Sequence, residues 1–196
     1  MSQDAKKIID FVAYAEKLKC EIRHASRSDN QRESVAEHCW RLSLMLMLVF
    51  PHLKIKVDLL KTLKMAIIHD LVEIESRDVP LLKHINNQAA KRAKSSKEKR
   101  AMSKIRKMLG RDGKEISALW LEHEELKTNE AKVLKALDRL EGELQFLHES
   151  VTKFTKKDKK AIEILLQETT DLAKIDPFLE ELDRLSFADR KNRIKC

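Results

Sequence analysis

The chain has 196 residues, a length that suits one domain with a core large enough to be stable without disulfides. Apolar residues make up 42% and charged residues 37%, the composition of a globular protein with a heavily charged surface. Only three glycines and three prolines occur, and this scarcity of turn residues argues against all-β and doubly wound α/β folds. Long segments rich in Leu, Lys, Glu and Ala instead predict an all-α fold.

The formal net charge is +8, and basic residues are concentrated between Lys83 and Lys107, where Glu98 is the only acid. Such a segment is either a solvated helix face or a surface that binds anionic partners such as nucleic acid. No aromatic residue interleaves its charges, so it offers no platform on which bases could stack. We therefore do not expect a nucleic-acid partner, although a nucleic-acid-binding helix over 83–107 stays an alternative.

The cysteines indicate a reducing compartment. Cys20, Cys39 and Cys196 are odd in number and widely spaced, so neither a disulfide framework nor a zinc knuckle is predicted. The N-terminal residues lack the apolar segment of a signal peptide, and the longest apolar run, 42–51, is too short to span a bilayer. These features predict a cytoplasmic protein without a membrane partner.

The first third of the chain shows two helices separated by a loop. Asp4 can cap the first helix. The polar stretch from Glu21 to Arg32 has no apolar period and predicts the loop. Ser34 and Glu37 match a capping box that starts the second helix, and Pro51 ends it.

The rest of the chain is predicted to be helical as well. Asp58 can cap a third helix that continues through Ile74, with Pro80 after its end. Asp176-Pro177 is a typical helix start, and the charged tail 189–196 is expected to fray. Apolar periodicity and propensity predict the intervening helices over 86–109, 116–123, 130–147 and 158–172.

Two carboxylates in the third helix do not fit a plain apolar core. By the three/four-residue rule, Asp70 and Glu73 share a stripe with Leu63 and Ala66. A buried carboxylate is costly unless it is paired or binds a metal, and two of them one turn apart repel each other. His69 precedes Asp70 and is close enough to share the site.

His38 and Asp138 are two further polar residues beside apolar helix faces. Together with His69 and Asp70 they could enclose one divalent cation, and nitrogen and oxygen donors suit Mn²⁺, Fe²⁺, Co²⁺, Ni²⁺ or Zn²⁺. Each residue also has a plainer interpretation. His38 could be an ordinary partly buried histidine, and Asp138 could form a surface ion pair with its neighbours Lys135 or Arg139.

Three segments taken together carry a resemblance to a known family. ESVAEH (Glu33 to His38), MAIIHDLVEIESRD (Met65 to Asp78) and ALDRLE (Ala136 to Glu141) resemble the HD-domain phosphohydrolases, closest to the branch of small bacterial and archaeal HD hydrolases that includes 5′-deoxynucleotidases. The resemblance covers residues 5–150. It implies a single all-α HD domain over 1–196, with C-terminal helices in 155–188 packing on the core, and one bound divalent metal. The metal ligands that it implies are His38, His69, Asp70 and Asp138.

The resemblance also implies roles for residues around the metal. Glu73 would position or deprotonate water, and Asp78 would assist the water or the leaving group. Arg23 would contact the substrate phosphate, and Arg27 or Arg32 could compete for that role. The chain departs from the family at two positions, because Arg77 stands where a glycine is common and His24 where an aromatic residue commonly follows the arginine.

The function expected from the resemblance is metal-dependent cleavage of a (deoxy)nucleoside 5′-monophosphate to nucleoside and phosphate. Hydrolysis of nucleoside triphosphates or signalling nucleotides is an alternative within the same class. A catalytically silent helical scaffold with a structural metal is an alternative of another class. A homodimer is expected by resemblance, with Met45, Met47 and the C-terminal helices as candidate contacts.

Overall fold

A computed structural model describes residues 2–78, 87–146 and 155–194, with side chains described for all of these except 156–157 and 187–194. The predicted all-α fold is confirmed, since helices dominate and the described sheet is one two-stranded hairpin. Pro80, Lys83 and Leu147, which entered the predictions above, lie outside the described residues. The elements are α1 (Gln3–Ala15), β1 (Ile22–Ser26), β2 (Arg32–Ser34), α2 (Val35–Val49), α3 (Leu59–Ile68), α4 (Glu73–Ser76), α5 (Gln88–Leu109), α6 (Asp112–Glu125), α7 (Asn129–Phe146), α8 (Lys156–Ala173) and α9 (Pro177–Ile194).

The predicted helix caps at Ser34 and Asp58 are confirmed. Ser34 Oγ accepts from the backbone N–H of Glu37 at 3.2 Å, and the Glu37 carboxylate accepts from the Ser34 N–H at 2.7 Å. Asp58 accepts from the Lys61 N–H at 2.9 Å. The predicted cap at Asp4 is wrong, because Ser2 occupies the cap position and Asp4 lies in the first turn. There its carboxylate still interacts favourably with the helix dipole.

The predicted loop over 21–32 is also wrong, because most of it forms an antiparallel hairpin. Ile22 pairs with Ser34 and Ser26 with Arg32, with an irregular register between them. The connecting turn closes through a 2.7 Å bond from the Arg27 N–H to the Gln31 carbonyl, and Asn30 takes a φ of 65°, which Asn tolerates well. The hairpin brings β1 alongside α7.

The third helix is shorter than predicted. It ends at Ile68, His69 caps its C-terminus, and α4 begins only at Glu73. The Glu73 N–H donates to the Asp70 carbonyl at 2.9 Å, a three-residue spacing that makes a tight turn. Asp70 and Glu73 therefore enter the interior from a turn and from a new helix, not from one continuous helical face.

Helix α2 contributes to both parts of the core. Val35 and Cys39 pack with residues of α5 and α6 such as Ile105 and Trp120. Further along α2, a second cluster contains leucines of α7 and reaches Ala173 and Leu179 in the C-terminal helices; its fully buried leucines are Leu42, Leu46, Leu134, Leu137 and Leu179. Helix α9 runs to Ile194, past the predicted start of fraying at residue 189. None of the described helices has both the length and the apolar character that a bilayer span requires.

Candidate metal centre

Four side chains from three parts of the chain converge in the interior. His38 lies in the first turns of α2, His69 at the end of α3, Asp70 in the turn that follows, and Asp138 in the middle of α7. His38 Nε2 lies 3.2 Å from Asp138 Oδ1 and 3.8 Å from Asp70 Oδ2. His69 Nε2 lies 3.2 Å from Asp70 Oδ2 and 4.0 Å from Asp138 Oδ1. Two imidazole nitrogens and two carboxylate oxygens thus face one small space.

The two Nε2 atoms lack hydrogen-bond partners among the described residues, although both are buried. His38 is 0% exposed and His69 is 4% exposed. A buried polar atom without a partner is costly, and a cation held between the four side chains would satisfy both nitrogens. Ligand atoms of His38, His69 and Asp138 lie within 4.8 Å of one another, so the donor set fits one divalent ion.

The orientation of each imidazole is fixed by its other ring nitrogen. His69 Nδ1 lies 2.9 Å from the Ala66 carbonyl oxygen. A carbonyl only accepts, so Nδ1 carries a proton, and Nε2 is the nitrogen that a metal would bind. His38 Nδ1 lies 2.5 Å from a carboxylate oxygen of Glu141. Both rings therefore turn Nε2 towards the shared space.

Asp138 is shared between the site and its own helix. Its Oδ2 accepts from Lys135 Nζ at 2.8 Å, while Oδ1 faces the histidines. Burial would raise the pKa of Asp138, but the charge of Lys135 and the two imidazoles outweigh burial and hold the pKa well below its usual range. The pKa of Asp70 is lowered in the same way, with burial opposed mainly by His69. Both carboxylates are therefore ionised at neutral pH.

Glu73 and Asp78 lie close enough to Asp70 for its charge to act on both. Glu73 is buried at the start of α4, and burial, reinforced by the charges of Asp70 and Asp78, raises its pKa well above the ordinary value. Burial also raises the pKa of Asp78, against the opposing charge of Arg23. The backbone N–H of Asp78 donates to Glu21 at 2.9 Å. The two carboxyl groups thus hold protons more readily than the carboxylates of Asp70 and Asp138.

Arg23 reaches the acidic cluster from β1. Its Nε lies 3.5 Å from Glu33 Oε2, and its Nη1 is buried without a hydrogen-bond partner in the described part of the chain. A Cβ placed on Gly142 would lie 3.7 Å from Arg23 Nη2, so the guanidinium lies beside α7 one turn after Asp138. The charges of Asp70 and Asp138 help to raise the pKa of Arg23, against the effect of its burial.

The competing arginines are placed differently. Arg27 pairs with Asp29 at 2.8 Å and with Glu37 at 2.5 Å at the end of the hairpin. Arg32 is exposed at the start of β2. Arg23 is close enough for its charge to interact with Asp70 and Asp138 of the site.

Sequence reasoning missed several residues around the site. Glu141 ends the ALDRLE motif, from which no role was predicted for it, and in the structure it contacts His38. Lys94 of the basic helix lies close enough for its charge to lower the pKa of Glu73 and Asp78.

The buried Cys39 brings its sulfur within 4.8 Å of ligand atoms of His69 and Asp70, and burial raises the pKa of this thiol. The buried ring of His123 lies 5.5 Å from that of His69. All four contacts depend on helix pairing, for which a local sequence pattern offers no signal.

Comparison with known proteins agrees with this geometry. A family model described as the HD domain matches residues 15–179. A 5′-deoxynucleotidase of Dictyostelium discoideum is 37% identical over 119 residues, which are 58% of this chain and 60% of that protein. A 5′-deoxynucleotidase of Xenopus laevis is 33% identical over 149 residues, 74% of this chain and 71% of that one. The chain thus spans only about 60% of the length of the Dictyostelium relative.

Solved structures show the same fold. A crystal structure described as a predicted metal-dependent phosphohydrolase from Magnetospirillum magnetotacticum superposes with a TM-score of 0.79 at 25% identity, covering 97% of this chain and 93% of that one. A conserved hypothetical protein from Pyrococcus furiosus has a TM-score of 0.63 at 27% identity, with 90% and 99% covered. Because the family model matches most of the chain and the histidine and aspartate side chains converge as described, the chain belongs to the HD-domain family.

Proposed function

We propose that the chain is a metal-dependent phosphohydrolase that cleaves (deoxy)nucleoside 5′-monophosphates to nucleoside and phosphate. The observation that carries the proposal is the convergence of His38, His69, Asp70 and Asp138 on one space, with two buried Nε2 atoms lacking hydrogen-bond partners among the described residues. The names of the curated relatives, which are 5′-deoxynucleotidases, support the substrate class. The same chemistry on nucleoside triphosphates or signalling nucleotides is the alternative.

The four converging side chains would hold one divalent ion, and their nitrogen and oxygen donors suit Mn²⁺, Fe²⁺, Co²⁺, Ni²⁺ or Zn²⁺. When bound, such an ion lowers the pKa of a water and polarises a phosphoryl group. To bind a metal, each imidazole needs a free lone pair on Nε2, and the Ala66 carbonyl oxygen holds the other proton of His69 on Nδ1. Burial acts to lower the pKa of His69, but the charge of Asp70 outweighs burial and raises it, so metal binding would require the loss of the Nε2 proton. Both carboxylates are ionised, so the site carries negative charge that a dication would offset.

Acid–base roles fall to the two carboxyl groups with raised pKa. Glu73 would accept the proton of the attacking water on its carboxylate, and its raised pKa makes it a better base than an ordinary glutamate. Asp78 would donate a proton to the 5′ oxygen of the departing nucleoside, since its pKa is raised as well. The negative charge of the phosphate would be met by the guanidinium of Arg23, whose buried Nη1 is available for a new hydrogen bond.

Phosphate release with restored metals tests this function. The protein is stripped with a chelator, and Mn²⁺, Co²⁺, Ni²⁺, Fe²⁺, Zn²⁺ and Mg²⁺ are added singly. Ribo- and deoxyribonucleoside mono-, di- and triphosphates are then screened beside an Asp70→Ala control. Release from monophosphates that is absent in the control supports the proposal. Metal binding without release from any nucleotide would favour the silent scaffold, and release only from triphosphates would favour the alternative substrate.

The quaternary structure and compartment are part of the same proposal. We propose a homodimer, because an apolar stripe on α2 is exposed to solvent: Trp40 is 66% exposed, and Leu44, Met47 and Leu48 follow at helical spacing. Met45, by contrast, packs against the core. Light scattering of the wild type should give twice the mass of one chain, and the Trp40→Glu variant should give the mass of one chain.

We propose a reducing, cytoplasmic location, which fits the free thiols of Cys20 and Cys39.

We also propose that residues 1–196 form one domain. The second core cluster supports this extent, because Ala173 of α8 and Leu179 of α9 are buried against residues of α7. A single cooperative thermal transition is the expected result.

We do not propose nucleic acid as a partner. On the basic helix, Lys94 forms an ion pair with Glu98 and Lys104 forms one with Glu75, each at 2.6 Å.

A further inference from the structure

Glu141 contacts two residues of α2: His38, a candidate metal ligand, and Arg41, whose side chain is partly exposed. It stands one turn after Asp138 on α7 and is 1% exposed. Its Oε2 lies 2.5 Å from His38 Nδ1, and its Oε1 accepts from Arg41 Nε, also at 2.5 Å. A guanidinium has N–H donors and no acceptor, so the Glu141 carboxylate accepts from Arg41.

These contacts decide which nitrogen of His38 can bind a metal. A carboxylate accepts hydrogen bonds, so His38 Nδ1 must donate to it. In the neutral ring the proton then resides on Nδ1, and Nε2, which faces Asp70 and Asp138, keeps the lone pair. The opposite tautomer would place a proton on Nε2 and block coordination there.

A chain of hydrogen bonds extends from Glu141 to the hairpin. Arg41 also donates through Nη2 to the Glu141 carbonyl at 2.9 Å and through Nη1 to Gln145 Oε1. Gln145 Nε2 in turn donates to the Ser26 carbonyl of β1 at 2.5 Å. The carboxylate of Glu141 is therefore fixed from two sides, and its position is set by α2, α7 and β1 together.

The cluster of Glu33, His38 and Glu141 could also be interpreted as a site for a second cation, but this interpretation is less favourable. Glu33, His38 and Glu141 do bring ligand atoms within 4.8 Å of one another. However, Arg41 already lies against Glu141, and Arg23 Nε lies 3.5 Å from Glu33. Two guanidinium groups at these carboxylates repel a further cation, so hydrogen bonding is the better account.

We propose that Glu141 is a positioning residue that holds His38 in its Nδ1–H tautomer and so prepares Nε2 for the metal. The inference rests on the proposed function, because it takes His38 to be a ligand. It predicts that Glu141 controls metal affinity without touching the metal. Carboxylate partners of ligating histidines generally change metal affinity by about 10- to 100-fold when removed.

The test compares two substitutions of Glu141 with a matched control. Glu141→Gln must turn its NH₂ group towards either Arg41 or His38, and towards His38 it favours the Nε2–H tautomer. Glu141→Asp keeps the charge but withdraws the carboxylate by one methylene. Asp176→Asn changes a different buried carboxylate, whose partners are backbone N–H groups outside the site. Folding of each variant is checked by thermal melting.

Two readouts are measured: the dissociation constant of Mn²⁺ by chelator competition, and the His38 tautomer by ¹⁵N NMR of the metal-free protein at an alkaline pH at which the ring is neutral. Both Glu141 variants should bind Mn²⁺ about 10-fold or more weakly and show an increased Nε2–H population, whereas Asp176→Asn should match the wild type. An unchanged tautomer in the folded variants, or loss of affinity in Glu141→Gln but not in Glu141→Asp, overturns the proposal; the second result would indicate a simple charge effect. A wild type that binds no metal overturns the proposed function itself, while the tautomer measurement still reports on Glu141. If Glu141→Gln does not fold, Glu141→Asp carries both readouts.

Discussion

The guanidinium of Arg77 lies 2.8 Å from a carboxylate oxygen of Glu21, and the same carboxylate accepts from the backbone N–H of Asp78 at 2.9 Å. Arg77 has a φ of 70° and a ψ of 148°, a region that glycine adopts readily and other residues rarely do. The contacts of Glu21 thus hold a strained backbone next to Asp78. They offset only part of the strain that arises because Arg77 stands where the family resemblance leads us to expect glycine.

This strain predicts an inverted order of stability for two substitutions. Arg77→Ala and Arg77→Gly both remove the ion pair, which contributes little because the Arg77 side chain is 74% exposed. Only glycine relieves the backbone, a gain of roughly 1–3 kcal/mol. Urea unfolding should therefore show Arg77→Gly to be more stable than Arg77→Ala by about 1 kcal/mol or more. At an ordinary exposed position alanine is the more stable of the two, and that order here would contradict the assigned φ.

Asp176 should give the fold a pH-dependent contribution. It is fully buried, and its two oxygens accept from the N–H groups of Lys54, Ile55 and Phe178 at 2.6, 2.8 and 2.9 Å. Burial acts to raise its pKa, but the backbone donors outweigh burial and lower it. A carboxyl group with a lowered folded pKa stabilises the fold above its unfolded pKa of about 3.9, and this is lost as the pH falls through the folded pKa.

Asp176→Asn should therefore lower the free energy of unfolding by about 1–3 kcal/mol at pH 7. The difference from the wild type should shrink as the pH is lowered below about 4, because protonation removes the advantage of the carboxylate. Urea unfolding at several pH values measures both quantities. A difference that stays constant down to pH 3 would show that the charge of Asp176 is not what stabilises the junction between α9 and the segment after α2.

The helix caps at Ser34 and Asp58 were predictable because each depends on a few neighbouring residues. Ser34, Glu37 and Asp58 hold the predicted bonds whatever surrounds them. The end of α3 was not predictable, since Leu71 and Val72 continue the apolar period and no glycine or proline marks the break. The hairpin was missed for the opposite reason: within β1 only Ala25 is buried, so no alternation of large apolar residues reveals the strand.

The candidate site shows the same division. Polar residues beside apolar helix segments marked His38, His69, Asp70 and Asp138 as candidates, and the family resemblance joined them into one predicted metal site. Glu141 could not, because on α7 it resembles any helical glutamate until α2 places His38 and Arg41 against it. Lys94 was grouped with a basic segment whose other members are mostly exposed. Residues defined by pairing between distant helices require the tertiary structure.

Substitution of Asp70 should remove both the metal and the activity, whereas substitution of Glu73 should remove most of the activity alone. Asp70→Ala removes an oxygen that faces both histidines, so it should abolish metal binding and activity together. Glu73→Ala removes a buried carboxyl group that flanks this cluster, so it should keep the metal but lose about 100-fold or more in kcat. Metal content by mass spectrometry and phosphate release by a colorimetric assay distinguish the two. Full activity of Glu73→Ala on every nucleotide that the wild type hydrolyses would rule out its role as the base.

Of two lysines on the basic helix α5, Lys94 should contribute to substrate binding and Lys104 should not. Lys94 donates to Glu98 at 2.6 Å, and its charge acts on Asp70, Glu73 and the Asp78 carboxyl group. A phosphate bound beside these carboxylates would be attracted by the same charge. Lys104, three turns further along, instead pairs with the exposed Glu75.

Lys94→Met should raise the KM for the monophosphate about 10-fold, equivalent to roughly 1.4 kcal/mol of lost attraction, with a smaller effect on kcat. Lys104→Met has the same change in charge on the same helix and should leave both constants within about twofold, since surface ion pairs contribute little. Steady-state kinetics with the restored metal measure the pair. Equal KM increases in both variants would indicate a general effect of the positive helix on anionic substrates, whereas an increase in Lys94→Met alone would assign Lys94 to the phosphate side of the site.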